Sequence, residues 1–240
     1  MSEVFLAVRN AWAGADRIVV LTGAGISAES GIPTFRGPDG LWRNFSAEML
    51  AAPEAFARDP QLVWEWYDWR RGIIHQAQPN AGHRALAELG RRREGQLTLV
   101  TQNVDGLHER AGNADVVKLH GDIWRVRCQD CGREERNEQV PLEHLPPRCH
   151  CGGTLRPGVV WFGEPLPREE WERAYEASGQ ARLFVAVGTS ASVYPAATLA
   201  QVARAGGARL AVVNPDPTPL DHLADWVLRG PAGDILPRLL

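Results

Sequence analysis

The chain has 240 residues and a net charge of −3 at pH 7, with 26 basic and 29 acidic side chains. This balance gives no basis for binding nucleic acid or an anionic membrane surface, and no apolar run approaches the ~20 residues of a membrane-spanning helix. Residues 1–12 carry an acidic side chain ahead of any basic one and no small-residue cleavage site, so they predict an amphipathic helix and not a signal peptide. We therefore expect a cytoplasmic protein. We also expect a monomer.

Six short apolar runs, rich in β-branched residues and without polar alternation, predict strands that are buried on both faces of a parallel sheet. They span residues 17–22, 97–101, 116–119, 183–187, 210–213 and 226–228. Helical patterns lie between them, for example at 81–89 and 169–177. This alternation predicts an α/β fold with a doubly wound, Rossmann-like parallel sheet and right-handed crossovers.

Two stretches interrupt the alternation. Residues 125–158 hold all four cysteines, several prolines and few long apolar runs, which indicates a small inserted module. Residues 33–78 form a second insertion, a loop followed by tryptophan-rich helices. The sequence therefore predicts a Rossmann-like domain from residues 1–124 and 159–240, which carries the insertion at 33–78, and a small module at 125–158.

A glycine-rich turn follows the first predicted strand. Gly23, Ala24 and Gly25 come directly after RIVVLT, and residues 26–30 should open a helix, with Ala28 in the third position of a G-x-G-x-x-A pattern. Glycines permit a tight turn and close backbone approach, and the start of the helix offers free N–H groups to a pyrophosphate. The pattern predicts a dinucleotide site, although G-x-G alone is also common in plain strand-to-helix turns.

The segment after this turn differs from that of dehydrogenases. The acidic residue expected ~20 positions after the glycines, at the end of a second strand, is missing. Residues 31–42, GIPTFRGPDGLW, hold prolines and glycines and are too broken to form a strand. They predict a mobile loop that folds over the nucleotide, and they disfavour hydride transfer.

The cysteines form two close pairs, Cys128-x-x-Cys131 and Cys149-x-Cys151. Two such pairs in a proline- and glycine-rich module predict a structural zinc site with four thiolate ligands. Four thiolates complete the tetrahedral shell and leave no position for water, so the metal should stabilise the module and not catalyse. Two disulfides or free thiols are the alternative, and His150 could replace one sulfur ligand.

Three further motifs stand at predicted strand ends. TQNVDG at 101–106 supplies an amide and a carboxylate, LHGD at 119–122 places His120 after an apolar strand, and VGTS at 187–190 is a second glycine-terminated strand end. Open α/β sheets bind ligands at the carboxyl ends of their strands, which favours a functional His120 over a satisfied core histidine.

Together these motifs resemble the sirtuins, the NAD-dependent protein lysine deacylases. GAGISAESGIPTFRG, TQNVDGLHERAG, KLHG, the cysteine pairs, GVVWFGEPLP, VGTS and VNPDP stand in the family's order, from Arg17 to the C-terminus. Val104 and Trp161 replace the isoleucine and phenylalanine that are common in the family, and residues 214–216 lie in a variable segment. The resemblance implies NAD as co-substrate and one structural zinc ion.

The resemblance also implies roles for single residues. In sirtuins the acyl-lysine carbonyl oxygen attacks C1′ of the nicotinamide ribose, and a base takes a proton from a ribose hydroxyl. His120 matches that base, and Asn103 would act with Ser27 to hold the ribose and an ordered water. Asp105 and the Val104 backbone would bind the nicotinamide carboxamide. The implied cofactor-binding residues are Gly23, Ala24, Gly25, Ser27, Ala28, Phe35, Arg36, Trp42, Gln102, Asn103, Val104, Asp105, Gly188, Thr189, Ser190, Asn214, Pro215, Asp216 and Ala232.

Two segments resemble substrate-binding parts of the family. One pairs with the backbone of the acyl-lysine peptide, which gives affinity with little sequence preference; its implied contacts are Val160, Trp161, Phe162 and Glu164. In the other, a predicted helix at 63–71, Tyr67 and Arg70 share a face. This Y-x-x-R pattern resembles the class III sirtuins, which remove succinyl, malonyl and glutaryl groups, because an arginine fork pairs with a carboxylate. A solvated arginine beside a packing tyrosine is the alternative.

The resemblance therefore implies an enzyme that acts on acyl-lysine proteins, removes both acetyl and acidic acyl groups, and yields nicotinamide, 2′-O-acyl-ADP-ribose and free lysine. Two other functions stay open: mono-ADP-ribosyl transfer, which also cleaves NAD, and a non-catalytic NAD-sensing zinc scaffold. The presence of His120 and Asn103 favours the deacylase.

Overall fold

The computed structural model describes residues 3–34 and 45–239. Its strands, in chain order, are β1 (Ile18–Thr22), β2 (Leu97–Thr101), β3 (Val116–Lys118), β4 (Gly121–Cys128), β5 (Glu134–Arg136), β6 (Leu155–Val159), β7 (Leu183–Val187), β8 (Arg209–Val213) and β9 (Trp226–Leu228).

The α-helices are α1 (Glu3–Gly14), α2 (Gly25–Ala28), α3 (Ala47–Leu50), α4 (Pro53–Arg58), α5 (Pro60–Gln76), α6 (Ala81–Arg92), α7 (Leu107–Arg110), α8 (Arg168–Gln180), α9 (Leu199–Ala205) and α10 (Ala232–Leu239). Within residues 3–34 and 45–239, none of them is long and apolar enough to cross a membrane.

Six strands form one parallel sheet in the order β3-β2-β1-β7-β8-β9. The predicted doubly wound α/β sheet is confirmed. The order reverses between β1 and β7, because the chain adds β2 and β3 on one side of β1 and the later strands on the other. Such a reversal opens a ligand crevice at the carboxyl ends of the two central strands.

Both faces of this sheet are covered, which explains why its strands lack polar alternation. All five residues of β1 are buried. Ile18 and Val20 point into a core shared with α1, α6 and α10, whereas Val19 and Leu21 point into a second core shared with α8 and α9. The period-two alternation of side chains along a strand divides one apolar run between two cores.

Two helices that lead to the crevice begin at clear capping signals. At α5, the Asp59 carboxylate accepts a hydrogen bond from the Leu62 N–H at 2.9 Å, and Pro60 occupies the first turn. At α6, the Asn80 side chain accepts from the Gly82 N–H at 2.9 Å and from the His83 N–H at 3.4 Å. Local chemistry therefore sets where both helices start.

A second, antiparallel sheet has the order β5-β4-β6. Its apolar residues share one hydrophobic core with α3, α4 and α5. The Trp64 indole N–H donates to the Leu155 carbonyl at 2.7 Å, and the Leu142 N–H donates to the Asp68 carboxylate at 2.9 Å. The helical insertion and the cysteine module, which the sequence analysis placed in different domains, thus pack as one unit, and β4 already begins at Gly121, ahead of residue 125.

Candidate functional site

The predicted site segments meet at the carboxyl edge of the parallel sheet. The glycine turn follows β1, residues 102–105 follow β2, and residues 188–190 follow β7. His120 comes after β3, and the Leu119 N–H ahead of it donates to the Thr101 carbonyl at 3.0 Å. Four chain segments that are distant in sequence therefore line one crevice, at the position where the strand order reverses.

Three glycines interlock at the centre of this edge. The Gly25 N–H donates to the Gly188 carbonyl at 2.8 Å. A Cβ atom on Gly25 would lie 2.7 Å from the Gly188 oxygen, and one on Gly23 would lie 2.8 Å from the Thr189 Cβ. Gly188 has a φ of +58°, which favours glycine. No larger residue fits at these positions without moving backbone, and the helix that follows, α2, is shorter than the sequence predicts.

The His120 side chain is oriented by a hydrogen bond to the backbone. Its Nδ1 lies 2.9 Å from the Gln102 carbonyl oxygen. A carbonyl can only accept, so Nδ1 carries the proton and Nε2 keeps its lone pair. Burial lowers the pKa of His120 below its ordinary 6.5, and the bond to Gln102 opposes only part of that shift. The imidazole is therefore neutral near pH 7, with Nε2 able to act as a base.

A buried hydrogen-bond chain joins the glycine turn to the turn after β2. The Asn103 amide donates to the Gly23 carbonyl at 3.1 Å and to the Ser27 hydroxyl at 3.2 Å. Ser27 in turn donates to the Asp105 carboxylate at 2.8 Å, and the other oxygen of Asp105 accepts from the Leu107 N–H at 2.8 Å. Burial raises the pKa of Asp105 in spite of these bonds. The chain holds the two turns in a fixed relation.

Two further buried histidines, His83 and His108, lie beneath this chain. His83 Nδ1 accepts from the Asn80 N–H at 3.4 Å, so its Nε2 carries the proton and faces the Ser27 hydroxyl at 3.4 Å. Burial lowers the pKa of His83 to about 4, which keeps it neutral. His108 lies 4.9 Å from it between ring centroids and bonds to the Thr22 hydroxyl at 2.9 Å. The one sequence signal for His83 is its place three residues after Asn80, the residue that caps α6.

A small, partly open cavity lies beside these residues and also receives side chains from α5. Its lining includes Ala24, Ser27, Ile32, Arg70, Asn103 and Asp105. Arg70 is only 6 % exposed, so the alternative of a solvated arginine is wrong. Burial lowers the pKa of its guanidinium, whereas Tyr67 and Asp105 nearby act to raise it. The sequence pattern Y-x-x-R therefore delivers a positive charge to the same cavity as the predicted nucleotide turn.

The Tyr67 hydroxyl is held as an acceptor. The Trp161 indole N–H donates to it at 2.9 Å. Burial raises the pKa of Tyr67 well above its ordinary value of 10, so the hydroxyl keeps its proton. Within residues 3–34 and 45–239 that proton is donated to no side chain or carbonyl, so the hydroxyl keeps one donor position unused.

The segment after β6 is braced from inside the protein. Arg156 forms a two-pronged ion pair with Glu164, at 2.6 and 2.9 Å, and its guanidinium carbon lies 3.5 Å from the centroid of the Trp161 ring. Glu164 also accepts from the Trp161 N–H at 2.8 Å. Glu164, predicted as a substrate contact, therefore pairs within the chain, and Arg156 was not predicted. Phe162 is 42 % exposed, and the Val160 N–H donates to the His120 carbonyl at 2.9 Å.

The remaining predicted cofactor residues lie along the same edge, on the side of β7 and β8. The Gln102 amide donates to the Thr189 hydroxyl at 2.9 Å. Asn214 follows β8, and its amide donates to the Asp216 carbonyl at 2.8 Å. Ala232 begins α10 and touches Gly82, where a Cβ atom would lie 3.3 Å from the Ala232 carbonyl. Ala28 ends α2, while Ser190 and Pro215 are exposed on loops. Phe35, Arg36 and Trp42, with most of the predicted loop at 31–42, lie outside the described residues.

Comparison with known proteins identifies the family. Residues 23–195 match the model of the Sir2 family. The chain belongs to the Sir2 family. It is similar to the NAD-dependent protein deacylase of Aquifex aeolicus, with 58 % identity over 209 residues, 87 % of each chain. It is also similar to two solved structures. A Sir2 homolog–NAD complex is 48 % identical, has a TM-score of 0.93, and covers 98 % of this chain and 91 % of its own. A Sir2–p53 peptide–NAD⁺ complex is 33 % identical, has a TM-score of 0.88, and covers 100 % of this chain and 97 % of its own.

The cysteine module of this sirtuin fits a four-thiolate zinc site. The sulfur atoms of Cys128, Cys131, Cys149 and Cys151 all lie within 4.8 Å of one another. The shortest separations are 3.5 Å between Cys128 and Cys151 and 3.8 Å between Cys131 and Cys149. Sulfurs ~2.3 Å from a tetrahedral zinc lie ~3.8 Å apart, whereas disulfide sulfurs are ~2.05 Å apart. None of the four cysteines forms a disulfide, so that alternative is wrong. The clustering of all four sulfurs favours a shared metal ion over separate free thiols, and His150 does not belong to the cluster.

Removing the metal should destabilise this sirtuin. Cys128 and Cys149 belong to the hydrophobic core that also contains α5, so loss of the zinc cross-link loosens that core. We expect about one zinc ion per chain by elemental analysis of protein purified without chelator. Cys131→Ser, at an exposed ligand, should lower both the zinc content and the melting temperature. A zinc-free protein with unchanged melting temperature and activity contradicts the assignment.

Proposed function

We propose that this sirtuin is an NAD-dependent protein lysine deacylase. The observation that carries the proposal is His120, a neutral base with its Nε2 free, at the edge where the glycine turn and the Asn103–Asp105 chain meet. Similarity to the NAD-dependent protein deacylase of Aquifex aeolicus and to a solved Sir2 homolog–NAD complex supports it. NAD would supply the ADP-ribose that accepts the acyl group, and one water molecule would be consumed, so the products would be nicotinamide, 2′-O-acyl-ADP-ribose and free lysine.

The glycine interlock suits the phosphates of NAD. Gly23, Ala24 and Gly25 bring bare backbone to the crevice, since side chains are excluded there. The adenosine half would lie toward the ends of β7 and β8, against Gly188, Thr189, Ser190, Asn214, Pro215, Asp216 and Ala232. Asp105 and the Val104 backbone would bind the nicotinamide carboxamide, and Asn103, Ser27 and Gln102 would hold the ribose. Phe35, Arg36 and Trp42 complete the proposed set.

His120 would take the proton of a ribose hydroxyl on Nε2. The bond from Nδ1 to the Gln102 carbonyl holds the correct tautomer before the transfer, and it stabilises the imidazolium afterwards because a carbonyl oxygen attracts a cationic N–H more strongly than a neutral one. Asn103 would orient the ribose, since its amide is itself held by Gly23 and Ser27. The protein's share of catalysis is thus positioning and one proton transfer.

Acyl choice would depend on Arg70 and Tyr67. Arg70 can meet a carboxylate with two parallel N–H donors, and the Tyr67 hydroxyl has a proton to give because Trp161 occupies its acceptor side. A succinyl or malonyl group ends in such a carboxylate. An acetyl group leaves the same pocket partly empty and is still accepted, so we propose activity on both classes.

The substrate protein would lie along residues 160–164. Backbone pairing gives affinity with little sequence preference, and Phe162, Val160 and Trp161 shape that edge. Glu164 would act through Arg156 and Trp161, to which it is bonded, and not by touching the peptide. The solved relative with a p53 peptide supports a peptide or protein ligand for this chain.

The proposal is tested with NAD and one peptide in three forms, carrying acetyl-lysine, succinyl-lysine or unmodified lysine. We expect free lysine, nicotinamide and acyl-ADP-ribose in equal amounts from both acylated forms, by mass spectrometry, and no NAD consumption with the unmodified control. ADP-ribose attached to protein without loss of acyl groups indicates a mono-ADP-ribosyltransferase. NAD binding without turnover of any form indicates a sensing scaffold.

A further inference from the structure

Two consecutive carbonyls of the turn after β2 are held by the first strand of the small sheet. The Ile123 N–H donates to the Val104 carbonyl at 3.0 Å, and the Trp124 indole N–H donates to the Asp105 carbonyl at 2.9 Å. Both donors stand on β4, which runs on to the zinc ligand Cys128. The conformation of the turn proposed to bind nicotinamide therefore depends on the antiparallel sheet as well as on the parallel sheet.

The Trp124 indole also packs against the residue that ends this turn. Gly106 has a φ of +77°, and a Cβ atom there would lie 3.3 Å from Trp124 Cδ1 and 3.4 Å from Nε1. Trp124 is 6 % exposed, and its backbone N–H donates to the Asp122 carboxylate at 2.8 Å. The contact with Gly106, the indole hydrogen bond to Asp105 and the backbone hydrogen bond to Asp122 together fix the position of the indole against the turn.

A buried arginine holds the indole in that position. Arg71 is fully buried, and its guanidinium carbon lies 5.2 Å from the centroid of the Trp124 ring. One of its nitrogens, Nη2, donates to Asn137 Oδ1 at 2.7 Å and to the Gln139 carbonyl at 3.3 Å. In the described part of the chain Nε and Nη1 have no hydrogen-bond acceptor. The π face of Trp124 therefore contributes to stabilising this cation, together with the nearby carboxylates of Asp68, Asp122 and Glu138. The Asn137 N–H then donates to the Trp124 carbonyl at 2.8 Å, which closes the contact.

We infer that Trp124, held by Arg71, is a positioning residue for the cleavage of NAD: it fixes the Val104–Asp105 turn in the shape that binds nicotinamide. The inference rests on the proposed function, which places the nicotinamide carboxamide at this turn. Without the indole donor the Asp105 carbonyl is buried and unsatisfied, so the peptide group rotates to find another partner and the carboxamide contacts are lost. Neighbouring residues 70 and 71 of α5 thus serve the acyl pocket and the nicotinamide turn separately.

Trp124→Phe tests this, because phenylalanine keeps most of the ring contact and removes only the N–H. We expect about a tenfold rise in both the KM for NAD and the inhibition constant of nicotinamide, the size expected for one buried hydrogen bond, with the KM for the acetyl-lysine peptide unchanged. Trp226→Phe is the matched control, since Arg209 stacks on that tryptophan at 4.6 Å on the distant strand β9. It should leave all three constants unchanged.

Three results decide against the inference. If Trp124→Phe lowers the melting temperature and changes the peptide and NAD constants alike, Trp124 is a structural residue only. Asp105→Asn, measured in parallel, separates the positioning role of Trp124 from the proposed nicotinamide site itself. If Asp105→Asn weakens nicotinamide inhibition and Trp124→Phe does not, the positioning role is wrong and the proposed nicotinamide site stands. If neither variant changes it, the nicotinamide site itself is wrong.

Discussion

We expect His120→Ala to lower the rate of deacylation by ~10²–10⁴-fold, the contribution of a general base. His120 Nε2 has its lone pair free, and the other histidines near the crevice cannot replace it. His83 carries its proton on the nitrogen that faces Ser27, and His108 is bonded to Thr22. The rate is measured under saturating NAD and peptide by mass spectrometry of the acyl-ADP-ribose product.

The pH profile gives an independent check on the same residue. Because burial lowers the pKa of His120 below 6.5, wild-type activity should be constant near neutrality and fall only as the pH drops through that lowered value and Nε2 is protonated. His120→Ala should lose this acid limb. His222→Ala, at an exposed histidine, is the control and should keep both rate and profile. Nicotinamide exchange should partly persist in His120→Ala, because bond cleavage precedes the base step. A folded variant with near wild-type deacylation refutes the base assignment.

We expect Arg70→Met to lower kcat/KM for a succinyl-lysine peptide by roughly 10–150-fold, since a buried charge-assisted hydrogen bond contributes ~1.5–3 kcal/mol. Acetyl-lysine has no carboxylate, so its turnover should change little. Arg70→Lys should not restore desuccinylation, because a point charge lacks the fork geometry. Arg58→Met, at an exposed arginine on α4, is the matched control. An equal loss on both substrates makes Arg70 a structural residue, and only the general deacylase proposal then stands.

Tyr67→Phe is a less selective variant than the sequence pattern suggests. The sequence predicts the loss of one hydrogen bond to the substrate. The structure shows that the hydroxyl also accepts from the Trp161 N–H, which phenylalanine would leave buried and unpaired. We therefore rely on Arg70 for the test of acyl choice. Any loss of deacetylation in Tyr67→Phe would result from the unpaired Trp161 N–H.

Much of this protein follows from local pattern. Strands β1 and β7 are unbroken apolar runs because each is covered on both faces, and the sequence alone shows this. The glycines at 23, 25 and 188 indicate positions where neighbouring backbone leaves no room for a side chain. Paired cysteines a few residues apart are recognisable because metal ligands from one turn must be close in sequence. His120 is recognisable from its place at a strand end.

Only the tertiary structure decided the contacts between segments that are far apart in the chain. The sequence could not show that the helical insertion and the cysteine module share one core, that Glu164 pairs with Arg156, or that His83 lies under Ser27. Arg70 and Arg71 are adjacent and chemically identical, yet one lines the cavity and the other packs on Trp124. Burial and hydrogen-bond partners are set by which surfaces meet when the chain folds, and no period or spacing within one segment encodes them.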